Sequence, residues 1–190
     1  MDDQQLWHKL KSGDAHALKI IYDEHIQNLS NYARKFTFDD ALIADAIHDL
    51  FVLIWNKRDT LGMTDSIIKY LCVSLRRDLI RRIQKDQQEV SFDQVMEYKY
   101  DFQLTQEDIM VADEQSSEYS KKLAQGMENL SSRQKEAIYL KFYEEMSYDE
   151  ICEVMGINYQ SVRNLISKGL LELRTSFISL LIVLASLILF

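Results

Sequence analysis

Apolar positions in this chain recur at three- and four-residue intervals over most of its length, the spacing of helices that bury one face. The first series is Leu6, Leu10, Leu18, Ile21 and Tyr22, continuing through Leu29, Tyr32, Ala33 and Phe36. Thr37 to Asp40 reads as a turn and cap. A second helix follows, with Ile43, Ile47, Leu50, Phe51, Ile54 and Trp55 on one broad face. Asn56 to Met63 is polar, contains Gly62 and reads as a loop. A third helix is expected from about Asp65 to Lys85. There Ile68, Leu71, Cys72, Leu75, Leu79 and Ile83 alternate with Lys69, Arg76, Arg77, Arg81 and Arg82, so that one face packs and the other is positive.

The pattern breaks from Asp86 to about Glu118, a stretch rich in Gln, Asp and Glu with scattered aromatics (Phe92, Tyr98, Tyr100, Phe102). It reads as a linker with weak or conditional helices. Periodicity returns near Tyr119 with Leu123, Met127 and Leu130. Ser131 and Gln134 have the spacing of a capping box, with a hydroxyl at the N-cap and an amide three residues on. Ala137, Ile138, Leu140 and Tyr143 continue a core face. Ser147 and Glu150 repeat the box, Gly156 stops that short helix, and Asn158 fits the N-cap of a last helix running to about Arg174. The expected organisation is a helical domain over 1–85, a linker over 86–120, a second helical domain over 121–175 and a tail over 176–190.

Composition agrees with an all-α fold of two small helical domains joined by an acidic linker. There is no proline to break helices and there are only five glycines, while 47% of residues are hydrophobic, enough to build a core. The net charge of −8 argues at first against nucleic acid, whose binding depends on Lys and Arg at phosphates. Its distribution reverses that argument. Residues 86–120 hold ten acids against Lys99, whereas 69–85 hold six bases against Asp78 alone. The two cysteines, Cys72 and Cys152, have no metal-ligand spacing and are expected as reduced, buried thiols. Met1 to Leu10 is acidic and polar, unlike a signal peptide, and a cytoplasmic protein is expected. His8, His16, His25 and His48 lack nucleophile or ligand partners in the sequence, and no phosphate-binding glycine loop occurs. No enzyme activity, cofactor or metal is expected.

Residues 147–168 carry the spacing of a helix-turn-helix. Ile151 and Met155 supply the inner face of the first helix, and Cys152 is small where the helices approach. Gly156 suits the left-handed turn, and Ile157, Val162 and Leu165 are expected to plug the core. The side chains left over on the second helix are Tyr159, Gln160, Ser161, Arg163, Asn164, Ser167 and Lys168. Gln and Asn can pair with adenine and Arg with guanine, while Ser and Lys reach phosphate. The competing reading is an ordinary helical hairpin with a solvated outer face, but that face carries no acid before Glu172 in an otherwise acidic chain.

These residues resemble a known family. Asn129 to Glu136, Met146 to Ile151 and Met155-Gly156-Ile157 resemble the C-terminal DNA-binding domain of extracytoplasmic-function sigma factors of bacterial RNA polymerase. Ser131 stands where the family commonly has proline, Cys152 where it has alanine and Asn158 where it has serine. Asp45 to Trp55 resembles the family helix that docks on the clamp helices of the polymerase largest subunit, with His48 in place of glutamine. Tyr70 to Arg82 resembles, more loosely, the basic helix facing the melted minus-10 element, with Arg77 and Arg81 where Asn and Asp or Asn are usual.

The resemblance implies a sigma factor that binds core polymerase and directs promoter-specific initiation. Arg133, Tyr159, Gln160, Ser161, Arg163, Asn164, Ser167 and Lys168 would read the minus-35 duplex. Asn56, Lys57, Arg58, Lys69, Arg76, Arg77, Arg81 and Arg82 would meet the melted minus-10 strand. Asp45, His48, Asp49, Phe51 and Trp55 would contact core polymerase, whose clamp helices and flap are the implied partners along with an anti-sigma factor. The linker is either a solvated tether or, as in the family, a segment lying in the polymerase cleft and exit path as a nucleic-acid mimic.

Phe177 to Phe190 is uncharged. As a helix it would span roughly 21 Å at about 1.5 Å per residue, short of the roughly 30 Å of a bilayer core. Three readings stay open: packing on the protein itself, a plug for a partner such as an anti-sigma factor, or a shallow membrane anchor, with protein contact favoured. Two rivals to the sigma reading are a stand-alone helix-turn-helix regulator with an N-terminal interaction domain, and an adaptor that uses its helices for protein contacts only.

Overall fold

The computed structural model describes residues 2–86, 100–103 and 126–188, with residues 86 and 176–188 described by their backbone only. Every regular element among the described residues is helical, in agreement with the expected all-α class. The chain divides into two compact units, Met1–Asp101 with Glu153–Met155, and Phe102–Cys152 with Gly156–Phe190.

The first apolar series forms two helices instead of one. Helix α1 (Asp3–Lys11) starts at Asp2, whose carboxylate accepts from Gln5 N–H. It ends at Gly13, which takes φ +89°, a conformation that costs a residue without Cβ little. Asp14 then accepts from the N–H groups of His16 and Ala17 and opens α2 (Ala15–Ala33). Helix α3 (Asp40–Lys57) begins in the same way on Asp39. The expected loop after Trp55 is partly helical: α3 continues through Lys57 into a 3-10 turn over Arg58–Thr60. The chain beyond is pinned to α1, because Trp7 Nε1 donates to Gly62 O at 2.8 Å and Lys11 donates to Leu61 O. Helix α4 (Ile67–Asp86) starts under Asp3, whose carboxylate accepts from Ile67 N–H at 2.7 Å.

The four helices share one core. Trp7, Leu10, Ile21, Leu29, Tyr32, Ile54, Leu71, Leu75 and Leu79 are essentially inaccessible to water. The packed face of α4 starts at Ile67, with Ile68 only half-buried, one position off the sequence reading. Cys72 is buried as expected, while Cys152 is half-buried; both are free thiols.

In the C-terminal unit, residues 126–128 are helical and lead to α5 (Ser132–Phe142). Both predicted capping boxes are present, Ser131 with Gln134 on α5 and Ser147 with Glu150 on α6 (Tyr148–Met155). Gly156 caps α6 at φ +66°. Asn158 Oδ1 accepts from Ser161 N–H at the start of α7 (Tyr159–Ile188). Met127, Leu130, Ile138 and Leu173 form an apolar cluster. Helix α7 meets α5 closely at Gly169, where a Cβ would lie 2.8 Å from Ile138 Cδ1.

The last helix overruns its expected end at Arg174 and continues to Ile188, about 45 Å in all. No proline or glycine follows Gly169, and the Leu, Ile and Ala of the tail let the helix propagate. Among the described residues, no helix is long and apolar enough to cross a membrane. The acidic linker lies outside the described residues except for Asp86 and residues 100–103, and the tail side chains lie outside them as well.

Candidate nucleic-acid interface

Helix α7 divides its side chains by face. Val162, Ile166 and Leu173 are buried, joined by Gly169. The second core position is thus Ile166, four residues after Val162; Leu165, expected there, is half-buried. At 100° per residue a four-residue step returns closer to the same face than a three-residue step does when Gly169 and Leu173 extend the line. Ile157 is half-buried, and Val154 joins Ile151 and Met155 in the inner face of α6.

The opposite face of α7 exposes Tyr159, Gln160, Arg163, Asn164, Ser167 and Lys168, all from the expected minus-35 set; Ser161 is half-buried beside them. Gln160 donates to Asn164 Oδ1 at 2.9 Å, so these two amides already share one hydrogen bond a turn apart. Ser167 bonds back to Arg163 O. Tyr159 leans on Tyr148 with ring centroids 5.4 Å apart, and Lys141 Nζ lies 5.4 Å from the same Tyr148 ring. Arg163 and Lys168 have no partner among the described residues. Arg133, on α5, is half-buried. The result is a basic and amide-bearing stripe on the first three turns of a capped helix, suited to base edges and phosphates.

The basic helix α4 is more engaged than its sequence suggests. Lys69 is buried, not on an open positive face, and its ammonium meets Asp65 at 2.8 Å. That bond holds the Asp65 carboxyl below its usual range. Arg81 pairs with Asp78. Arg82 reaches both Asp78 and Asp49, the latter at 2.6 Å, and these acceptors, Asp49 first, raise its pKa above the ordinary arginine value. Arg76 donates to Tyr100 Oη at 3.1 Å. Arg77 is exposed without a partner among the described residues. Asn56 and Lys57 are exposed at the end of α3. Arg58 folds back: its guanidinium lies 4.5 Å over the Trp55 ring and donates to Trp55 O at 2.7 Å.

Helices α2 and α3 enclose a groove of about 540 Å³ with walls that include Leu18, Tyr22, Ile26, His48, Val52 and Trp55. It brings together three residues of the expected polymerase-binding set, His48, Phe51 and Trp55. Phe51 lines the groove while being largely buried, and it packs edge-on against Tyr22 at 5.0 Å, because its position repeats the core-facing period of Ile47 and Ile54. Asp45 is exposed, and Asp49 is turned to Arg82.

Two aromatic residues in the segment read as linker are anchored. Tyr100 lies against Phe36 in the N-terminal unit, and Phe102 is fully buried against Tyr139 in the C-terminal unit. Sequence reading named both only as scattered aromatics, since no periodicity surrounds them. Among the described residues, no cluster of His, Cys, Asp and Glu could hold a metal ion.

Residues 120–173 match the family described as Sigma-70, region 4. The fold is similar to that of CnrH in its complex with the cytosolic domain of CnrY, with a TM-score of 0.60 at 18% identity, covering 93% of this chain and 97% of that one. It is also similar to the sigma factor RpoE from Bartonella quintana in complex with the anti-sigma factor NepR, with a TM-score of 0.59 at 18% identity, covering 84% of this chain and 95% of that one. At such identities the likeness is one of fold. Residues 120–173 are thus similar to sigma-70 region 4, and the chain as a whole shares the fold of these solved structures. The resemblance to sigma factors is borne out by the family match over residues 120–173 and, for the whole chain, by the fold.

Proposed function

We propose that this chain is an alternative sigma factor of the extracytoplasmic-function type, which binds core RNA polymerase and directs initiation at promoters with matched minus-10 and minus-35 elements. The observation that carries the reading is the region 4 match over residues 120–173, which coincides with the capped helix-turn-helix and its exposed stripe. In this reading residues 1–85 bind core polymerase and the melted minus-10 strand, 86–120 connect, and 121–175 read the minus-35 duplex. Tyr159, Gln160, Arg163 and Asn164 face the bases from the N-terminal turns of α7, with Ser161, Ser167, Lys168 and Arg133 at the flanking phosphates. Asn56, Lys57 and Arg77 offer donors to the melted strand as they stand, whereas Arg58, Lys69, Arg81 and Arg82 do so after leaving their partners. His48, Trp55 and the groove between α2 and α3 form the polymerase-facing surface, with Asp45 and Asp49 at its edge.

The chemistry of initiation belongs to the polymerase, and the chain contributes binding and position. RpoE, of the same fold, is held by an anti-sigma factor; an anti-sigma partner is proposed here too. The apolar end of α7 is proposed as a protein contact in a cytoplasmic factor. Run-off transcription with core polymerase on a promoter library tests the function. The full chain should support initiation, and Arg163→Ala with Lys168→Ala should reduce it roughly 10-fold or more, since a lost base or phosphate contact is worth about 1–3 kcal/mol. Failure of the full chain to initiate from any promoter would overturn the reading.

A further inference from the structure

Arg76, Phe36 and Tyr100 meet outside the residues that match region 4. Tyr100 belongs to the acidic stretch 86–120 yet sits on the basic helix α4. Its ring lies 5.4 Å from the Phe36 ring at an interplanar angle of 32°. The Arg76 guanidinium carbon lies 5.1 Å from its centroid, and Arg76 Nη2 donates to its hydroxyl at 3.1 Å. An aromatic face on one side, a guanidinium on another and a hydrogen-bond donor at the rim are the means by which proteins hold a base removed from its stack. Phe36 is itself fixed by Tyr32, edge-on at 5.1 Å, so the platform is preorganised.

We propose that Phe36 and Arg76 form a binding site for an unstacked nucleobase of single-stranded DNA, and that Tyr100 fills this site in the free chain as a base mimic. The proposal rests on the melted-strand reading of α4 and adds to it Phe36 as a stacking residue and Tyr100 as the plug. Plug and strand exclude each other because they need the same ring face and the same guanidinium. Entry of a strand therefore displaces this part of the connecting segment, and the segment weakens strand binding until it is displaced.

The test uses the full chain and a short dye-labelled single-stranded oligodeoxyribonucleotide, titrated at low salt and followed by fluorescence anisotropy. A strand of equal length in which every base is replaced by an abasic sugar serves as the probe for charge alone. Tyr100→Ala should tighten binding of the base-bearing strand by about five-fold or more, the effect of gaining one base stack, and should leave the abasic strand unchanged. Adding Phe36→Leu to Tyr100→Ala should abolish the gain, with circular dichroism melting showing that the double variant is folded. The comparison of the two strands stands even if that variant does not fold. Equal affinity of wild type and Tyr100→Ala for the base-bearing strand, or an equal gain on the abasic strand, would overturn the proposal. Run-off transcription with the wild-type chain separates this from the larger reading: initiation without a Tyr100→Ala gain removes the plug alone, and absence of initiation removes the sigma assignment.

Discussion

At the residue scale, several cations of the basic helix α4 are committed to nearby carboxylates. Arg82 ties α4 to α3 through Asp49 and braces its own helix through Asp78. The effect of these pairs on function is to set which cations are available to a ligand. His25 illustrates the opposite condition. Its Nε2 is buried and finds no hydrogen-bond partner among the described residues. Desolvation lowers its pKa below the ordinary 6.5, against the opposing pull of Asp3 and Glu24. The fold thus favours the neutral ring. Its contribution is fully present above 6.5 and is lost as pH falls below that value through the lowered pKa of the folded state, a range in which the unfolded chain takes up a proton that the folded chain resists. Urea denaturation of the wild type should show a lower midpoint at pH 5.5 than at pH 7.5, and His25→Leu should flatten that difference. An unchanged wild-type to His25→Leu difference across the two pH values would rule the histidine out as its source.

At the element scale, the two turns of the C-terminal unit solve one steric problem with different residues. Between α6 and α7 the left-handed position is Gly156 at φ +66°, where its N–H reaches back to Cys152 O. Between α5 and α6 it is Glu145 at φ +53°. A Cβ in this region costs roughly 1–2 kcal/mol. Gly156→Ala should therefore lower the stability of the unit by about 1 kcal/mol, although no atom stands in the way of the new methyl group. Glu145→Gly should recover part of the same cost, reduced by the greater freedom of glycine in the unfolded chain. Thermal melts of the two variants should shift in opposite directions; a shift of the same sign would mean that contacts, not backbone conformation, set the outcome.

At the scale of the whole molecule, α7 carries an exposed polar stripe and a packed stretch on one rod. Its first turns carry the exposed stripe of Tyr159 to Lys168, its middle packs on α5 through Val162, Ile166, Gly169 and Leu173, and its backbone runs on through the uncharged tail. Because the described core residues of α7 end at Leu173, removal of 176–190 should leave the melting temperature within a few degrees of wild type and preserve transcription with core polymerase. What should change is the state of the chain outside the transcription complex, read as loss of a partner in co-purification. A collapse of the melting transition on truncation would show instead that the tail is part of the core.

What the sequence determined by itself was whatever depends on neighbours in the chain. Helix periodicity, both capping boxes, the Gly156 turn and the Asn158 cap need only residues a few positions apart, and each was legible from Ser131, Ser147, Gly156 and Asn158. The break at Gly13 and Asp14 was equally local, yet the apolar series ran across it and masked it. What only the tertiary structure decided was the use of side chains whose partners lie far away. Phe51 has the pattern of a core residue, and only the fold shows that it also lines the groove between α2 and α3. Arg82 meets Asp49 across 33 residues, and Arg76 meets Tyr100 across 24. A period of 3.6 residues states which face of a helix turns inward, not which charge or ring on another element will stand opposite it. The contact of Tyr100 with Phe36 and Arg76 therefore comes into view only when the chain is folded.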